Sequence, residues 1–176
     1  MPANIVGRVV VGVDGSPGSL EALRYAVQQA RRLHRVLVPV IAWKPVGNQV
    51  VAHRPPTPQY ARLVREFAET ELHRAFDEAL GGPPADVTIE SWVAMGAAGP
   101  ALVHEAGQIY DLLVVGAGRR GRLRHALHAG TARYCLAHAH CPVIAVPPPA
   151  LQAELGTGLR RRQEISRLLE RVDQTG

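Results

Sequence analysis

A chain of 176 residues is about one domain long, and with 47% hydrophobic and 20% charged residues it is composed like a globular protein, which excludes global disorder and a fibrous repeat. The formal charge of +5 is carried almost wholly by arginine, Lys44 being the one lysine, so a Gly-Lys-Ser/Thr phosphate loop is excluded. No apolar run reaches the ~18 residues of a membrane span, the first residues lack a secretory apolar core, and Cys135 and Cys141 are too few for a disulfide framework or a zinc site, so a cytoplasmic protein without a membrane partner is expected.

Val9-Val10-Val11-Gly12-Val13 is a nearly continuous β-branched run, as in a strand buried on both faces. Ser16 suits a helix N-cap and Pro17 the first helical position. Leu20, Leu23, Val27 and Ala30 then recur at helical spacing to about Leu33. A second strand runs from Val36 to Trp43, and Pro39 in its middle argues for an edge or a bulge. Residues 44–58 read as a loop, opened by Lys44-Pro45-Val46-Gly47-Asn48 and closed by Pro55-Pro56-Thr57-Pro58. The helix expected from about Gln59 to Leu80 carries Leu63, Phe67, Leu72, Ala75 and Phe76 on its apolar side and stops at Gly81-Gly82-Pro83-Pro84.

Val87 to Ala94 is a third strand, and Thr88, Glu90 and Ser91 give it the polarity of an edge. Gly99-Pro100 opens a helix through Leu102, Ala106 and Ile109. Leu112 to Val115 is a fourth buried strand ending in Gly116, followed by a glycine- and arginine-rich loop over 116–130. A helix from about Thr131 to Ala139 and a strand from Pro142 to Val146 complete the pattern. Pro147-Pro148-Pro149 closes a domain of residues 1–149. In the extension 150–176, Ile165, Leu168, Leu169 and Val172 predict a C-terminal amphipathic helix.

Strands alternating with helices predict an α/β fold with a doubly wound parallel sheet. Ligands of such sheets bind beyond the carboxyl ends of the strands, at the switch point. With a strand order of 3-2-1-4-5, the first and fourth strands are neighbours, and Gly12, Asp14 and the glycine loop face one crevice.

The loop is the strongest chemical signal. Gly116, Gly118, Gly121 and Gly130-Thr131 lie between a buried strand and a helix. Glycines let backbone N–H groups approach a phosphate, and the following helix N-terminus favours negative charge. Arg119, Arg120, Arg122 and Arg124 add charge-assisted donors. An ordinary strand-to-helix connection with solvated arginines explains the same residues equally well. Asp14 either accepts bonds from a ribose or an adenine edge, or holds its own turn. His138-Ala139-His140-Cys141 has no accompanying metal motif and carries no metal expectation. No Gly-x-Ser-x-Gly elbow is present, so a hydrolase triad has no anchor. Cys135 reads as a small buried hydrophobe.

Val10-Val11-Gly12-Val13-Asp14-Gly15-Ser16, Asp111-Leu112-Leu113-Val114-Val115-Gly116 and His140-Cys141-Pro142-Val143-Ile144-Ala145-Val146 together resemble the universal stress protein family over about residues 5–147. The resemblance implies a five-stranded, Rossmann-like parallel sheet of order 3-2-1-4-5 and a cytoplasmic homodimer paired through the last strand, Val143 to Val146. Many members of the family, though not all, bind ATP or a related adenine nucleotide, so ATP or another adenine nucleotide is the ligand the resemblance offers, with Mg2+ accompanying it. Gly12 and Asp14 then match the nucleotide side of strand one, Ile41 the adenine-contacting position on strand two, and Gly130, Thr131 and Ala132 the phosphate-side helix start. The family's nucleotide-binding branch carries Gly-x2-Gly-x9-Gly-Ser/Thr directly after strand four. Here Arg119 stands where the second glycine belongs when counting from Gly116. Counting from Gly118 gives Gly118-x2-Gly121-x8-Gly130-Thr131, one residue short.

The leading expectation is a nucleotide-binding stress or signalling module rather than a dedicated enzyme; slow ATP hydrolysis stays open, with no general base to name. The alternative is a nucleotide-free interaction protein of the same fold. Nucleic-acid binding through the arginine loop ranks last, because no recognition motif accompanies the basic charge.

Overall fold

The computed structural model describes residues 7–43, 58–117 and 129–149. Five strands, β1 (Val9–Gly12), β2 (Leu37–Trp43), β3 (Trp92–Met95), β4 (Leu112–Gly116) and β5 (Val143–Val146), alternate with four helices, α1 (Pro17–Leu33), α2 (Pro58–Leu80), α3 (Ala98–Glu105) and α4 (Ala129–His138). The strands form one sheet of order β3-β2-β1-β4-β5 with every neighbouring pair parallel. This is the expected doubly wound topology. The loop 44–57, the glycine-loop residues 118–128 and the extension 150–176 lie outside the described residues.

β1 is central, and Val9, Val10 and Val11 are wholly buried. Alternation along it sends Val9 and Val11 to one face, where Leu20, Leu23 and Val27 of α1 and Leu72 and Phe76 of α2 pack. Val10 points to the opposite face with Leu102 of α3 and Ala132 and Cys135 of α4. The near-continuous apolar run thus fills two cores at once.

Local chemistry sets the element ends. The Ser16 Oγ accepts the Ser19 N–H at 3.2 Å, Pro17 occupies the first turn of α1, and His34 closes the helix in the left-handed region. Arg24 of α1 donates to the carbonyls of Ala79 (2.6 Å) and Glu78 (3.1 Å), clasping the end of α2.

Four expectations are corrected. Pro39 sits in an interior strand, not at an edge. Leu37 exchanges its bonds with Thr88 and Glu90 on the β3 side, so two residues on Pro39 also directs its nitrogen toward β3. There the ladder is interrupted: an isolated bridge at Ile89 is followed by regular pairing only from Trp92. The missing N–H is accommodated where nothing is asked of it, and β3 is consequently shorter than 87–94. Phe67, expected on the apolar side of its helix, is 59% exposed. Finally, α3 stops at Glu105 and Ile109 is exposed. The chain turns because buried Asp111 collects the N–H of Arg8 (2.8 Å) and of Gln108 (3.2 Å), while the Arg8 guanidinium binds Asp111, Glu105 and the Glu105 carbonyl. The fourth difference is at α4, which begins at Ala129, two residues earlier than expected.

Candidate functional site

The carboxyl ends of β1 and β2 open into a groove of about 290 Å³ lined by Val13, Asp14, Gly15, Ile41, Ala42, Trp43, Phe67, Ala68 and Glu71. It exists because β1 ends at Gly12 and the chain must turn sharply into α1. Gly15 supplies the left-handed conformation at φ +72°. The Asp14 carboxylate accepts the Ser16 N–H at 3.0 Å, and the Asp14 N–H donates to Ser19 Oγ at 3.3 Å. Asp14 therefore holds its own turn and at the same time lines the groove; the two sequence readings of it are compatible.

The far wall belongs to α2. Phe67, Glu71, Arg74 and Glu78 follow one another at helical spacing. Ala68, Leu72 and Ala75, on the neighbouring stripe, are buried and seat the helix on the sheet. A second hollow of about 200 Å³, lined by Asp14, Gly15, Glu71, Arg74, Ala75 and Glu78, shares Asp14, Gly15 and Glu71 with the first. The two hollows form one cleft, apolar and aromatic at one end and charged at the other. Arg74 Nε donates to Glu78 Oε1 at 2.8 Å. That bond, helped by the charges of Glu78 and Glu71, holds the Arg74 guanidinium above its ordinary pKa.

The sequence-derived site residues fall into three groups. Asp14 and Ile41 meet in the groove. Gly12 and Gly116 are not among its lining residues, and packing accounts for both. A Cβ on Gly12 would come within 2.9 Å of Leu102 Cδ1, and one on Gly116 within 2.7 Å of the Gly18 carbonyl carbon. Gly116 thus lets the first turn of α1 settle on the end of β4. Gly130, Thr131 and Ala132 lie in the first turns of α4; Gly130 is exposed with open space around it, and Ala132 is buried. Gly118, Arg119, Gly121 and Arg122 lie outside the described residues.

Trp43, Phe67 and Glu71 are lining residues that sequence reasoning missed. Trp43 was legible only as the end of a strand. The Phe67–Glu71 spacing of four, an aromatic and a carboxylate one turn apart, was the available signal on α2. Among the described residues no group of three His, Cys, Asp or Glu side chains is arranged to hold a metal ion.

A parallel, doubly wound sheet with a cleft at its carboxyl edge defines a class of α/β ligand-binding domain. Residues 6–147 match the universal stress protein family, and the chain belongs to that family. It is 31% identical over 140 residues to the universal stress protein Rv2624c of Mycobacterium tuberculosis and 30% identical over 149 residues to Rv2623 of the same organism, covering 77% and 78% of this chain. The chain spans about half the length of these relatives, 46% of each. Among solved structures, a universal stress protein in complex with cAMP is 29% identical, with a TM-score of 0.55 over 80% of this chain and 95% of that one. UspA from Lactobacillus plantarum shares the fold at 19% identity, with a TM-score of 0.58 over 80% of this chain and 97% of that one.

Proposed function

We propose that this protein binds an adenine nucleotide in the cleft and acts as a dimeric stress or signalling module rather than as a dedicated enzyme. The observation that carries this reading is the groove itself. Ile41, Ala42, Trp43 and Phe67 offer apolar and aromatic surface for a flat base, with the Asp14 carboxylate at the turn for the sugar. The cAMP complex of the similar universal stress protein supports the choice of an adenine ligand.

The groove's volume of about 290 Å³ lies at the lower end of ligand sites, which run from roughly 300 Å³ upward, and suits a base and sugar. Asp14 and Glu71 repel phosphates from it. The phosphates are then directed past the α1 start toward Gly116 and the first turn of α4, where backbone N–H groups supply the positive potential. Mg2+ would accompany ATP by binding its phosphates.

Dimerisation through Val143–Val146 fits this reading. β5 is an edge strand and its four residues are only partly buried within one subunit. Cytoplasmic action is consistent with the free, buried Cys135 and Cys141. Among the described residues no helix is long and apolar enough to cross a membrane.

Trp43 provides the test. With Trp92→Phe it is the sole tryptophan, since the chain has two. Titration with AMP, cAMP or ATP is expected to change its emission saturably in the micromolar to sub-millimolar range, about −8 to −5 kcal/mol. Superimposable spectra with all three would contradict seating the base against Trp43.

A further inference from the structure

The cleft has two carboxylates, and its geometry assigns them different tasks. One Asp14 oxygen already accepts the Ser16 N–H at 3.0 Å, which ties that side chain to the turn at the end of β1. Glu71 sits on the opposite wall, one helical turn beyond Phe67, and lines both the aromatic and the charged hollow. Among the described ion pairs Arg74 engages Glu78, farther along the helix, and not Glu71. Asp14 lines both hollows as well, so what sets Glu71 apart is its place one helical turn from Phe67: a base lying against Phe67 has Glu71 within reach of its edge.

We infer that Glu71 is the specificity-determining residue of the cleft, accepting hydrogen bonds from the N–H donors on the edge of an amino-substituted purine. The inference rests on the nucleotide reading given above and adds to it the feature of the base that is selected. An ionised carboxylate is an acceptor only, so it rewards an exocyclic amine and penalises a base edge that offers nothing but lone pairs. Two carboxylates, Glu71 and Glu78, flank Arg74 in the second hollow, so its one positive charge does not make that hollow a phosphate site.

The test compares AMP with purine riboside 5′-monophosphate, which has the same ring, sugar and phosphate but neither the amine nor a ring N–H on that edge. Each is titrated by calorimetry into wild type and Glu71→Ala. Glu71 is partly exposed on a helix and alanine favours helix, so the variant is expected to fold, with circular dichroism as the check. Wild type should prefer AMP by about tenfold or more, as a hydrogen bond to a charged group implies. Glu71→Ala should bring the two affinities within about twofold of each other, chiefly by weakening AMP. Equal binding of both ligands to wild type, or a preference for AMP that survives in Glu71→Ala, would overturn the role of Glu71 while leaving the nucleotide site intact. Absence of binding by either ligand to folded, nucleotide-free wild type would overturn the nucleotide reading and this inference with it.

Discussion

Gly116, Gly12 and Gly130 share one residue type and all belong to the expected nucleotide site, yet alanine should act differently at each. At Gly116 the new Cβ would lie 2.7 Å from the Gly18 carbonyl carbon, 2.8 Å from its oxygen and 3.1 Å from the Ser19 nitrogen. These are backbone atoms of a helix start held by the Ser16 cap and by buried Ser19 and Leu20, so the side chain cannot be deflected around them. Reaching ordinary contact at 3.4 Å requires α1 and β4 to separate by about 0.7 Å. Overpacking of this kind costs about 1–3 kcal/mol, or roughly 3–10 °C of Tm for a domain of this size. At Gly12 the obstacle is Leu102 Cδ1 at 2.9 Å, the end of a flexible side chain, and the cost should be about 1 kcal/mol or less. At Gly130 nothing lies within 4 Å, and alanine in a helix should stabilise by about 0.4–1 kcal/mol. Urea and thermal unfolding of the three variants measure the order directly. A Gly116→Ala protein as stable as Gly130→Ala would refute the close seating of α1 on β4.

Removing the Asp111 carboxylate should be the costliest single change at the opposite end of the sheet. Asp111→Ala leaves the N–H groups of Arg8 and Gln108 without their acceptor and is expected to lose about 3 kcal/mol, the low end for a broken buried pair because the Arg8 side chain is 31% exposed; a loss under about 1 kcal/mol would contradict the role given to this cluster. Burial pushes the Cys135 thiol up to about 11 from 9.0. The folded state therefore binds the proton more tightly than the unfolded one, so stability is full below pH 9 and falls as the pH rises through 9 to 11; native-state alkylation at pH 8 should be slow, and rapid labelling of Cys135 without unfolding would count against its burial. Sedimentation at micromolar concentration should give a dimer, with Ile144→Glu shifting it toward monomer; a monomeric wild type would remove the edge-pairing reading of β5.

Much of the fold was legible because its signals are local. The Val9–Val11 run, the Ser16-Pro17 cap and Gly81-Gly82 each act within a few residues of themselves, and the structure uses them as expected. What escaped was long-range. Arg8 meets Asp111 and Glu105 across separations of 103 and 97 residues, which no spacing rule anticipates, and that cluster shortens α3 and exposes Ile109. Pro39 misled because the rule about mid-strand proline asks only about the strand, whereas its cost depends on whether the neighbour interrupts its ladder at that register. At the cleft, Asp14 was legible from the end of the strand that carries it, whereas Ile41 came only with the resemblance to universal stress proteins; both line the groove. Phe67 was legible only as part of an apolar helix side, because helical periodicity reports which face is apolar, not whether the core or an open groove lies opposite it.

The central claim is that the cleft receives an adenine nucleotide with its phosphates at the start of α4, and titration calorimetry of nucleotide-free protein with AMP and ATP tests it most directly when wild type and Gly130→Val are compared. A Cβ at Gly130 meets nothing within 4 Å, and valine is a somewhat better helix former than glycine, so Gly130→Val is expected to fold, while its side chain obstructs close approach of a phosphate to the helix start. Wild type should give saturable heat, at micromolar to sub-millimolar affinity, and binding should be abolished in a Gly130→Val protein that unfolds at a wild-type temperature. No heat from either ligand with folded wild type would contradict it and leave the nucleotide-free interaction protein as the better description of this chain.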